Sequence, residues 1–358
     1  MKILFQNRKD ALTKWGGDTT QMIETANALE ALGVQVDTSL ESNPDLSGYD
    51  LVHVFNIKTG AEQVRNARVQ HKPIALSTIF WPTPDALRMD EYLKYHSNPC
   101  IRSLARISKP LARLVIQARR RIDHAAMLET LKLADILLPN SMEERDLVAD
   151  AFLLPELKEK SVIVPNAVRA EDPAPKTEFT KRALAQLPTE YLLQAASFDP
   201  GKCQLNLIEA LMDLPDIPVV FIGGRSNNAY FQACRSIGDK RGNTFFVDQT
   251  PHDQMGWFYQ RARVHALPSL RESPGLATME AAINGANCVV SIHGPVREYF
   301  GDLVWLCDPF QPHTITKAVL NAWKAPHTDD LKNRILSRFT WEAAAQATLQ
   351  GYKRVLSR

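Results

Sequence analysis

Short apolar runs alternate with helical patterns along the first half of the chain, and polar, Pro or Asn residues end each run. The run "KILF" at residues 2–5 predicts a buried strand, and "TQMIETANALEALG" predicts an amphipathic helix that stops at Gly33. Further strands are predicted at "VQVDTSL", "YDLVHVFNI", "KPIALSTIF", "ADILLPNS" and "KSVIVPNAV". This alternation is typical of a parallel sheet that is covered by helices on both faces.

The same pattern restarts after "AVRAEDPAPKTEFTKRALAQLP" (167–188), which contains three prolines and which we interpret as a linker. Strands are then predicted at "EYLLQAAS", "IPVVFIGG", "NTFFVDQ", "ARVHALPS", "CVVSI" and "LVWLCD". We therefore expect an α/β protein with two Rossmann-like, doubly wound domains at 1–168 and 169–335, and a C-terminal helix at 336–358 that packs back on the first domain. Two such domains predict an interdomain cleft, with ligands at the carboxyl ends of the strands.

Composition and charge narrow the possible functions. A formal net charge of +2 over 358 residues is too small to predict a nucleic-acid partner. The five cysteines are scattered and form no C-x-x-C, which predicts neither a zinc ribbon nor a disulfide framework and suits a reducing compartment. No run of ~20 apolar residues predicts a membrane span, and "MKILFQNRKD" predicts no secretory signal, so a cytoplasmic protein is expected. The G-x-G-x-x-G and Walker motifs are absent from the sequence.

The stretch "LPSLRESPGLATMEAAINGANCVVS" (267–291) carries the most specific chemical signal. Pro274 suits the first position of a helix, and Gly285 suits its end. The amides of residues 275–278 would then lack helical partners and would form an anion site together with the helix dipole. Glu272 precedes this site, and Glu280 lies about 9 Å further along the helix.

Two carboxylates on either side of an anion site can each accept a pair of hydroxyls. A central diphosphate flanked by a ribose and a hexose has such pairs on both sides, so this pattern predicts a nucleotide-sugar site. The alternative is that Glu272 caps the helix and Glu280 lies on a solvated face.

The whole chain resembles the retaining glycosyltransferases of the GT-B fold, specifically family 4. The resemblance is carried by Glu272 and Glu280 as an E-x7-E signature, and by motifs spread along the chain: "WGGDTTQ", "YDLVHVFN", "LPNS", "VPNAV", "DPGKCQLNLIEAL" and "FTWEAAA". It implies that a sugar is moved from a nucleoside diphosphate to a glycan or lipid-linked acceptor, with retention of configuration. A bacterial surface polysaccharide is the expected product, and no cofactor or metal is expected.

The resemblance also implies roles for individual residues. Glu272 would contact the hydroxyls of the donor sugar, Glu280 the ribose, and Lys202 the diphosphate, so that Lys202 and the amides after Glu272 stabilise the leaving nucleotide. The loop after the first strand would approach donor phosphate and acceptor through two glycines. The remaining residues of the implied donor site and acceptor loop are Ser273, Pro274, Gly275, Leu276, Ala277, Ser197, Arg225, Asn166, Gly16, Gly17, Phe80 and Trp81.

The chain departs from the family pattern at two places. Relatives usually carry an arginine where this chain has Ser197, and a serine has no guanidinium to offer a diphosphate. Arg225 or Arg271 could replace it, or donor affinity is modest. Many relatives have histidine and aspartate after the fourth strand, where this chain has Phe80 and Trp81, which either stack on a sugar or pack the strand end.

Two other functions stay open because of these departures. One is a GT-B-like binding or scaffold subunit whose activity is lost or depends on a partner. The other is a sugar phosphorylase on the same fold. His53, a lone histidine in an apolar strand, is expected to be structural and not a replacement for the missing histidine.

A basic helical segment lies between the fourth strand and "ADILLPNS". Residues 101–121 contain seven Lys or Arg and no acid, with an apolar line on the opposite side. Pro110 would kink or restart the helix. Either the apolar line packs on the sheet, or the segment meets anionic lipid or a lipid-diphosphate acceptor. The candidates for a membrane-facing line are Arg102, Arg106, Lys109, Arg113 and Arg120.

Overall fold

The computed structural model describes residues 1–13, 16–80, 99–170, 173–225 and 227–357. The chain divides into two compact units. Unit 1 comprises Met1–Thr83, Leu114–Ala167 and Phe339–Arg358, and unit 2 comprises Pro84–Arg113 and Val168–Arg338. Each unit is built on its own parallel sheet, and the cleft expected between two domains stays a prediction.

The sheet of unit 1 has the strand order β2-β1-β3-β4-β5, and all pairs are parallel. Alternate residues enter different hydrophobic clusters: Ile3 and Phe5 belong to one, and Leu4 belongs to the other. Because side chains alternate across a strand, both faces of the sheet are covered, as the continuous apolar runs predict. The strands are β1 (Lys2–Gln6), β2 (Gln35–Ser39), β3 (Leu51–Phe55), β4 (Ile74–Ser77) and β5 (Ile136–Leu137).

Helices flank this sheet, and the C-terminal helix is one of them. Trp341 and Tyr352 belong to the same hydrophobic cluster as Met22 and Leu29 of the first helix. The predicted end at Gly33 is confirmed, since the first helix ends at Ala31 and Gly33 has a φ of +80°. The helices are α1 (Gly17–Ala31), α2 (Ala61–Val69), α3 (Pro99–Ile107), α4 (Lys109–Leu133) and α5 (Met142–Phe152), with the C-terminal helix at Trp341–Leu356.

His53 has a structural role, as expected. Its Nδ1 lies 2.7 Å from the hydroxyl of Tyr352, and its Nε2 lies 2.9 Å from Oγ of Ser77. Burial lowers the pKa of His53 to about 3, so the ring is neutral. Each ring nitrogen is therefore occupied by a hydrogen bond, and together the two bonds join the sheet to the C-terminal helix.

Unit 2 has the strand order β8-β7-β6-β9-β10-β11, and all pairs are parallel. Counted from β6, this is the order 3-2-1-4-5-6 of a dinucleotide-binding sheet, in which the direction of winding reverses between β6 and β9. Ligands of such sheets bind at the carboxyl ends of the two strands at that reversal. The strands are β6 (Tyr191–Ala195), β7 (Val219–Ile222), β8 (Thr244–Val247), β9 (Ala262–Leu267), β10 (Asn287–Ser291) and β11 (Trp305–Cys307).

The helices of unit 2 cover two apolar clusters. Leu192 belongs to one cluster and its neighbour Leu193 to the other, so this sheet is also buried on both faces. The helices are α6 (Glu178–Gln186), α7 (Gln204–Ala210), α8 (Asn228–Arg241), α9 (Gly256–Tyr259), α10 (Leu276–Ile283), α11 (Val296–Phe300), α12 (Pro312–Lys324) and α13 (Asp330–Arg338), and the C-terminal helix is α14.

Two interpretations of the sequence are wrong. The stretch 167–188 is not only a linker, because α6 occupies Glu178–Gln186. Its N-cap is Thr177, whose hydroxyl accepts from the amide of Thr180. The stretch "KSVIVPNAV" is not a regular strand, because it forms an isolated bridge from Ser161 to Leu137. In the first stretch the prolines led to a linker being predicted where there is a helix. In the second, an apolar run that ends in Pro and Asn led to a strand being predicted where there is a single bridge.

The basic segment forms two helices, and the predicted restart near Pro110 is confirmed: α3 ends at Ile107 and α4 begins at Lys109. The expectation that its apolar line packs on the sheet is wrong. Ile107, Leu114 and Ile122 are 84%, 60% and 71% exposed. Arg106, Lys109 and Arg113 are also exposed. The side chains of Arg102 and Arg120 lie outside the described part of the structure. Among the described helices, none is long and apolar enough to cross a membrane.

Candidate functional site

The structure brings Lys202 and Glu272 together at the point where the winding of unit 2 reverses. Lys202 lies in the loop after β6, and Glu272 lies in the loop after β9. The Nζ of Lys202 is 2.6 Å from Oε1 of Glu272. The Glu272 side chain is 14% exposed and the Lys202 side chain 32% exposed, so the pair is partly shielded from water. The pair therefore occupies the position in which such a sheet binds its ligand.

Hydrogen bonds to backbone groups hold these two loops in place. Asp199 caps the short turn Pro200–Lys202 by accepting from the amide of Gly201 at 2.8 Å. The amide side chain of Gln194, on β6, donates to the carbonyl of Lys202 at 2.7 Å. The amide of Leu270 donates to the carbonyl of Gly201 at 2.8 Å and so ties the second loop to the first. The lysine is thus positioned by its own backbone as well as by Glu272.

The helix after Glu272 begins two residues later than Pro274 predicts. Helix α10 spans Leu276–Ile283 with Gly275 as its N-cap, so Pro274 precedes the cap and is not the first helical residue. Gly275 has a φ of +97°, which favours glycine. The amide of Thr278 donates to the carbonyl of Gly275 at 3.0 Å, so it is not one of the predicted anion donors. The amides of Leu276 and Ala277 have no earlier helical carbonyl to bind.

The predicted end of this helix is confirmed. Gly285, with a φ of +93°, donates to the carbonyl of Ala282, and Ala286 donates to the carbonyl of Ala281. This pair of bonds is a Schellman motif, which closes a helix with a residue in the left-handed region. Glu280 therefore lies in the last turns of a short, well-capped helix, eight residues after Glu272.

Glu280 is held by two residues that the sequence did not indicate. Its Oε2 accepts from the hydroxyl of Tyr259 at 2.9 Å, and its Oε1 lies 2.9 Å from Nε2 of His252. Tyr259 is buried, and burial together with the nearby Glu280 raises the pKa of Tyr259 well above its ordinary value. The tyrosine is therefore protonated and donates. Glu280 does not lie on a solvated face, because its side chain is only 19% exposed.

The loop after β10 closes against Glu272. A Cβ built on Gly294 would lie 2.4 Å from the carbonyl oxygen of Glu272, and Gly294 has a φ of +104°. Likewise, a Cβ on Gly223, after β7, would lie 2.0 Å from the carbonyl oxygen of Ala196. Glycine is therefore required where loops from the neighbouring strands approach each other.

The candidates for the missing arginine are placed as follows. Ser197 is exposed after β6. Arg225 pairs with Asp248 at 2.6 Å and stacks on the ring of Phe231 at 4.4 Å. Arg271 is exposed, next to Glu272. Arg225 therefore already has a carboxylate partner, and a diphosphate would have to compete with Asp248 for it.

In unit 1, the predicted glycine loop begins α1. Gly16 is the N-cap, and no described atom within 4 Å would contact a Cβ on Gly17. The sequence did not indicate that Arg8, after β1, pairs with Asp18 at 2.9 Å and with Asp10 at 2.8 Å. The pKa of Arg8 is raised, chiefly by its hydrogen bond to Asp18. A charged cluster thus lies beside the first turn of α1.

The interpretation in which Phe80 stacks on a sugar is wrong, because the side chain is buried. It is 4% exposed, and its ring centroid is 5.5 Å from that of Phe152. Its amide donates to the buried carboxylate of Glu144 at 2.6 Å, and so does the hydroxyl of Thr78. Burial raises the pKa of Glu144. The strand end is therefore a packed element, as the alternative interpretation predicted.

Two further candidates remain. Trp81 lies outside the described residues. Asn166 is buried in the middle of "VPNAV" in unit 1. Its role at the donor stays a prediction.

Comparisons with known proteins agree with this arrangement. Residues 175–336, which contain Lys202, Glu272 and Glu280, match the family model described as "Glycosyl transferases group 1". A D-inositol 3-phosphate glycosyltransferase of Corynebacterium diphtheriae is 29% identical over 60% of this chain and 54% of its own length. An O-antigen chain mannosyltransferase B of Escherichia coli is 25% identical over 46% of this chain and 45% of its own length. The chain thus spans about half the length of these relatives.

Solved structures share the fold over the whole chain. Sucrose-phosphate synthase of Thermosynechococcus elongatus has a TM-score of 0.70 at 17% identity and covers 100% of this chain and 99% of its own. The Anabaena protein HepE, solved in complex with UDP, has a TM-score of 0.62 at 15% identity and covers 99% of this chain and 96% of its own. The two Rossmann-like, doubly wound domains are thereby confirmed. The family match and the fold confirm the resemblance carried by the motifs: this chain is similar to the group 1 glycosyl transferases, family 4, of the GT-B fold.

Proposed function

We propose that this protein transfers a sugar from a nucleoside-diphosphate sugar to a glycan or lipid-linked acceptor, with retention of configuration and without a metal. The observation that carries the proposal is the Lys202–Glu272 pair at the winding reversal of unit 2, followed eight residues later by Glu280. These residues lie inside the region that matches the group 1 family. A role in bacterial surface polysaccharide synthesis is supported by the similarity to the O-antigen chain mannosyltransferase B of Escherichia coli.

Each residue has a defined task in this reaction. Glu272 accepts hydrogen bonds from hydroxyls of the donor sugar. As the donor binds, Lys202 donates hydrogen bonds to the diphosphate as well as to Glu272. As the bond to the sugar breaks, negative charge grows on the leaving diphosphate, and Lys202 with the amides of Leu276 and Ala277 stabilises it. The acceptor hydroxyl attacks from the face that the nucleotide leaves, its oxygen forms the new bond to the sugar, and its proton passes to an oxygen of the departing diphosphate. Glu280 accepts hydrogen bonds from the hydroxyls of the ribose.

A nucleotide panel tests the proposal directly. The melting temperature of the protein is measured with UDP, GDP, ADP, CMP and TDP, and nucleotide release is then measured with sugars of the nucleotide that stabilises. One nucleotide is expected to raise the melting temperature, and Glu280→Ala is expected to remove the shift. If no nucleotide stabilises the protein and no donor is hydrolysed, the proposal fails.

Binding without release would favour the second candidate, a binding subunit. The observations behind that candidate are exposed Ser197 in place of an arginine and the pairing of Arg225 with Asp248. Sugar transfer that appears only after cell extract is added to the protein and donor would then show that the activity depends on a partner. Phosphate-dependent cleavage of a disaccharide without nucleotide would identify a phosphorylase instead.

Tyr259→Phe is expected to weaken nucleotide binding about five- to tenfold and to change turnover at saturating donor little. The phenyl ring keeps the packing, but Glu280 loses the donor that fixes its Oε2, which corresponds to about 1 kcal/mol. Isothermal titration with the stabilising nucleotide measures the effect.

Tyr191→Phe is the matched control. Tyr191 is also buried in unit 2, and its hydroxyl donates to the carbonyl of Phe258 at 2.8 Å. Both variants should lose similar stability, about 1 kcal/mol. Equal losses of nucleotide affinity in the two variants would show that Tyr259 acts only through the fold.

A further inference from the structure

Helix α4 presents a line of large aliphatic side chains to solvent. Leu111, Leu114, Val115 and Ile122 are 48%, 60%, 42% and 71% exposed. Their spacing of three, one and seven residues places them on one side of the helix. Large aliphatic residues scattered singly are ordinary on a surface, but several of them on one side of one helix indicate an interaction site.

The helix is attached to the protein by a different line. Ala112 and Ile116, four residues apart, are buried. In this first half of α4 the buried residues thus lie on a different side from Leu111, Leu114, Val115 and Ile122, so the exposed line is not an imperfectly buried core face. We name this line the apolar face of α4.

Charge indicates what covers the apolar face. Residues 101–122 contain seven Lys or Arg, no Asp or Glu, and no aromatic residue. Lys109, Arg113 and Arg121 are exposed on α4. Lys109 and Arg113 lie on the side of the helix opposite the apolar face, and Arg121 borders it. Protein interfaces are enriched in aromatic residues, which this segment lacks, whereas a helix with aliphatic residues on one side and cations on the other is typical of a membrane interface.

We propose that the apolar face of α4 inserts into the headgroup region of an anionic lipid membrane, with the cations of the same helix meeting the lipid phosphates. Aliphatic side chains supply the depth of insertion, and the cations supply the preference for negatively charged lipid. The surface lies outside the residues assigned to the donor site, so membrane binding and nucleotide binding are separate properties of the chain.

Vesicle sedimentation of the full-length protein tests this surface. Binding is measured with vesicles of phosphatidylcholine alone and with vesicles that also contain phosphatidylglycerol. The wild type is expected to bind only the anionic vesicles, and Leu114→Asn/Ile122→Asn is expected to lower the partition coefficient at least about tenfold. Arg113→Gln/Arg121→Gln is expected to lower it several-fold and to reduce its dependence on salt.

The matched control is Val69→Asn/Leu153→Asn, which removes two aliphatic side chains that are 78% and 85% exposed elsewhere. This variant should bind vesicles like the wild type, and all variants should keep the nucleotide-induced rise in melting temperature. Three results would overturn the proposal: no binding of the wild type to anionic vesicles, equal binding to neutral ones, or equal loss in the control. A dimer in solution that the Leu114/Ile122 variant dissociates, without vesicle binding, would also overturn it and would assign the face to a second copy of the chain.

Discussion

Replacing Glu272 by glutamine is expected to lower the rate of sugar transfer by about 100-fold or more and to leave the fold intact. The amide keeps the shape of the carboxylate but has only one acceptor oxygen and no charge. In the proposed site it would therefore hold the hydroxyls of the donor sugar less well, and it would no longer fix the Nζ of Lys202, which lies 2.6 Å from Oε1 in the wild type. Nucleotide release from the donor identified in the panel measures the loss.

The magnitudes separate this effect from loss of stability. A 100-fold loss of rate corresponds to about 2.7 kcal/mol of transition-state stabilisation. An ion pair with a side chain about one third exposed contributes at most about 1 kcal/mol to folding after solvent screening. We therefore expect a small change in melting temperature beside a large change in rate.

Asp302→Asn is the control for charge removal in the same unit. Asp302 pairs with Arg297 at 2.9 Å, and both side chains are highly exposed. This variant should transfer sugar at the wild-type rate. Lys202→Met should lose rate on its own, and the double variant with Glu272→Gln should lose less than the sum of the two, because the residues act as a unit. A Glu272→Gln protein that retains a third of the wild-type rate would contradict the assignment.

The parts of the site that the sequence predicted are those encoded by neighbouring residues. The strand after which Glu272 lies, the helix that carries Glu280 and the end at Gly285 are all features of one continuous stretch. Lys202 follows the first strand of the same sheet, so the fold resemblance alone placed it opposite Glu272. The helix begins later than Pro274 predicts because Gly275, with a φ of +97°, lies outside the helical region, so α10 begins only after it.

The parts that were missed depend on tertiary contacts. Tyr259 and His252 lie 21 and 28 residues before Glu280, in two other elements, and no spacing rule connects them to it. Arg8 and Asp18 meet only because the loop after β1 folds back on the start of α1. A single sequence identifies carboxylates and cations but does not show which of them are paired.

The basic segment shows a different limit. Periodicity correctly separated its apolar residues from its cations, but it does not reveal which side of a helix is buried. The structure buries the line of Ala112 and Ile116 and exposes Leu114 and Ile122. The buried line thus contains fewer large aliphatic residues than the exposed one, so residue size alone does not predict which side of this helix is packed.

Gly294→Ala is expected to destabilise the protein by about 2–4 kcal/mol and to lower transfer by displacing Glu272. Two costs add: a φ of +104° strains any residue with a Cβ, and the new atom would lie 2.4 Å from the carbonyl oxygen of Glu272. A backbone carbonyl in a loop tied at Leu270 cannot rotate away like a flexible side chain. The loop after β9 must therefore move, and the Glu272 carboxylate moves with it. Denaturant unfolding and the rate of nucleotide release measure the two effects.

Gly285→Ala separates strain from contact. Gly285 has a φ of +93°, similar to that of Gly294, but no atom of the described residues lies within 4 Å of the position that a Cβ would take there. This variant should lose only the cost of the left-handed conformation, about 1–2 kcal/mol, and should transfer sugar at close to the wild-type rate. The difference between the two variants then measures the contact of the β10 loop with Glu272. If Gly294→Ala loses no more stability and no more rate than Gly285→Ala, the β10 loop does not position Glu272.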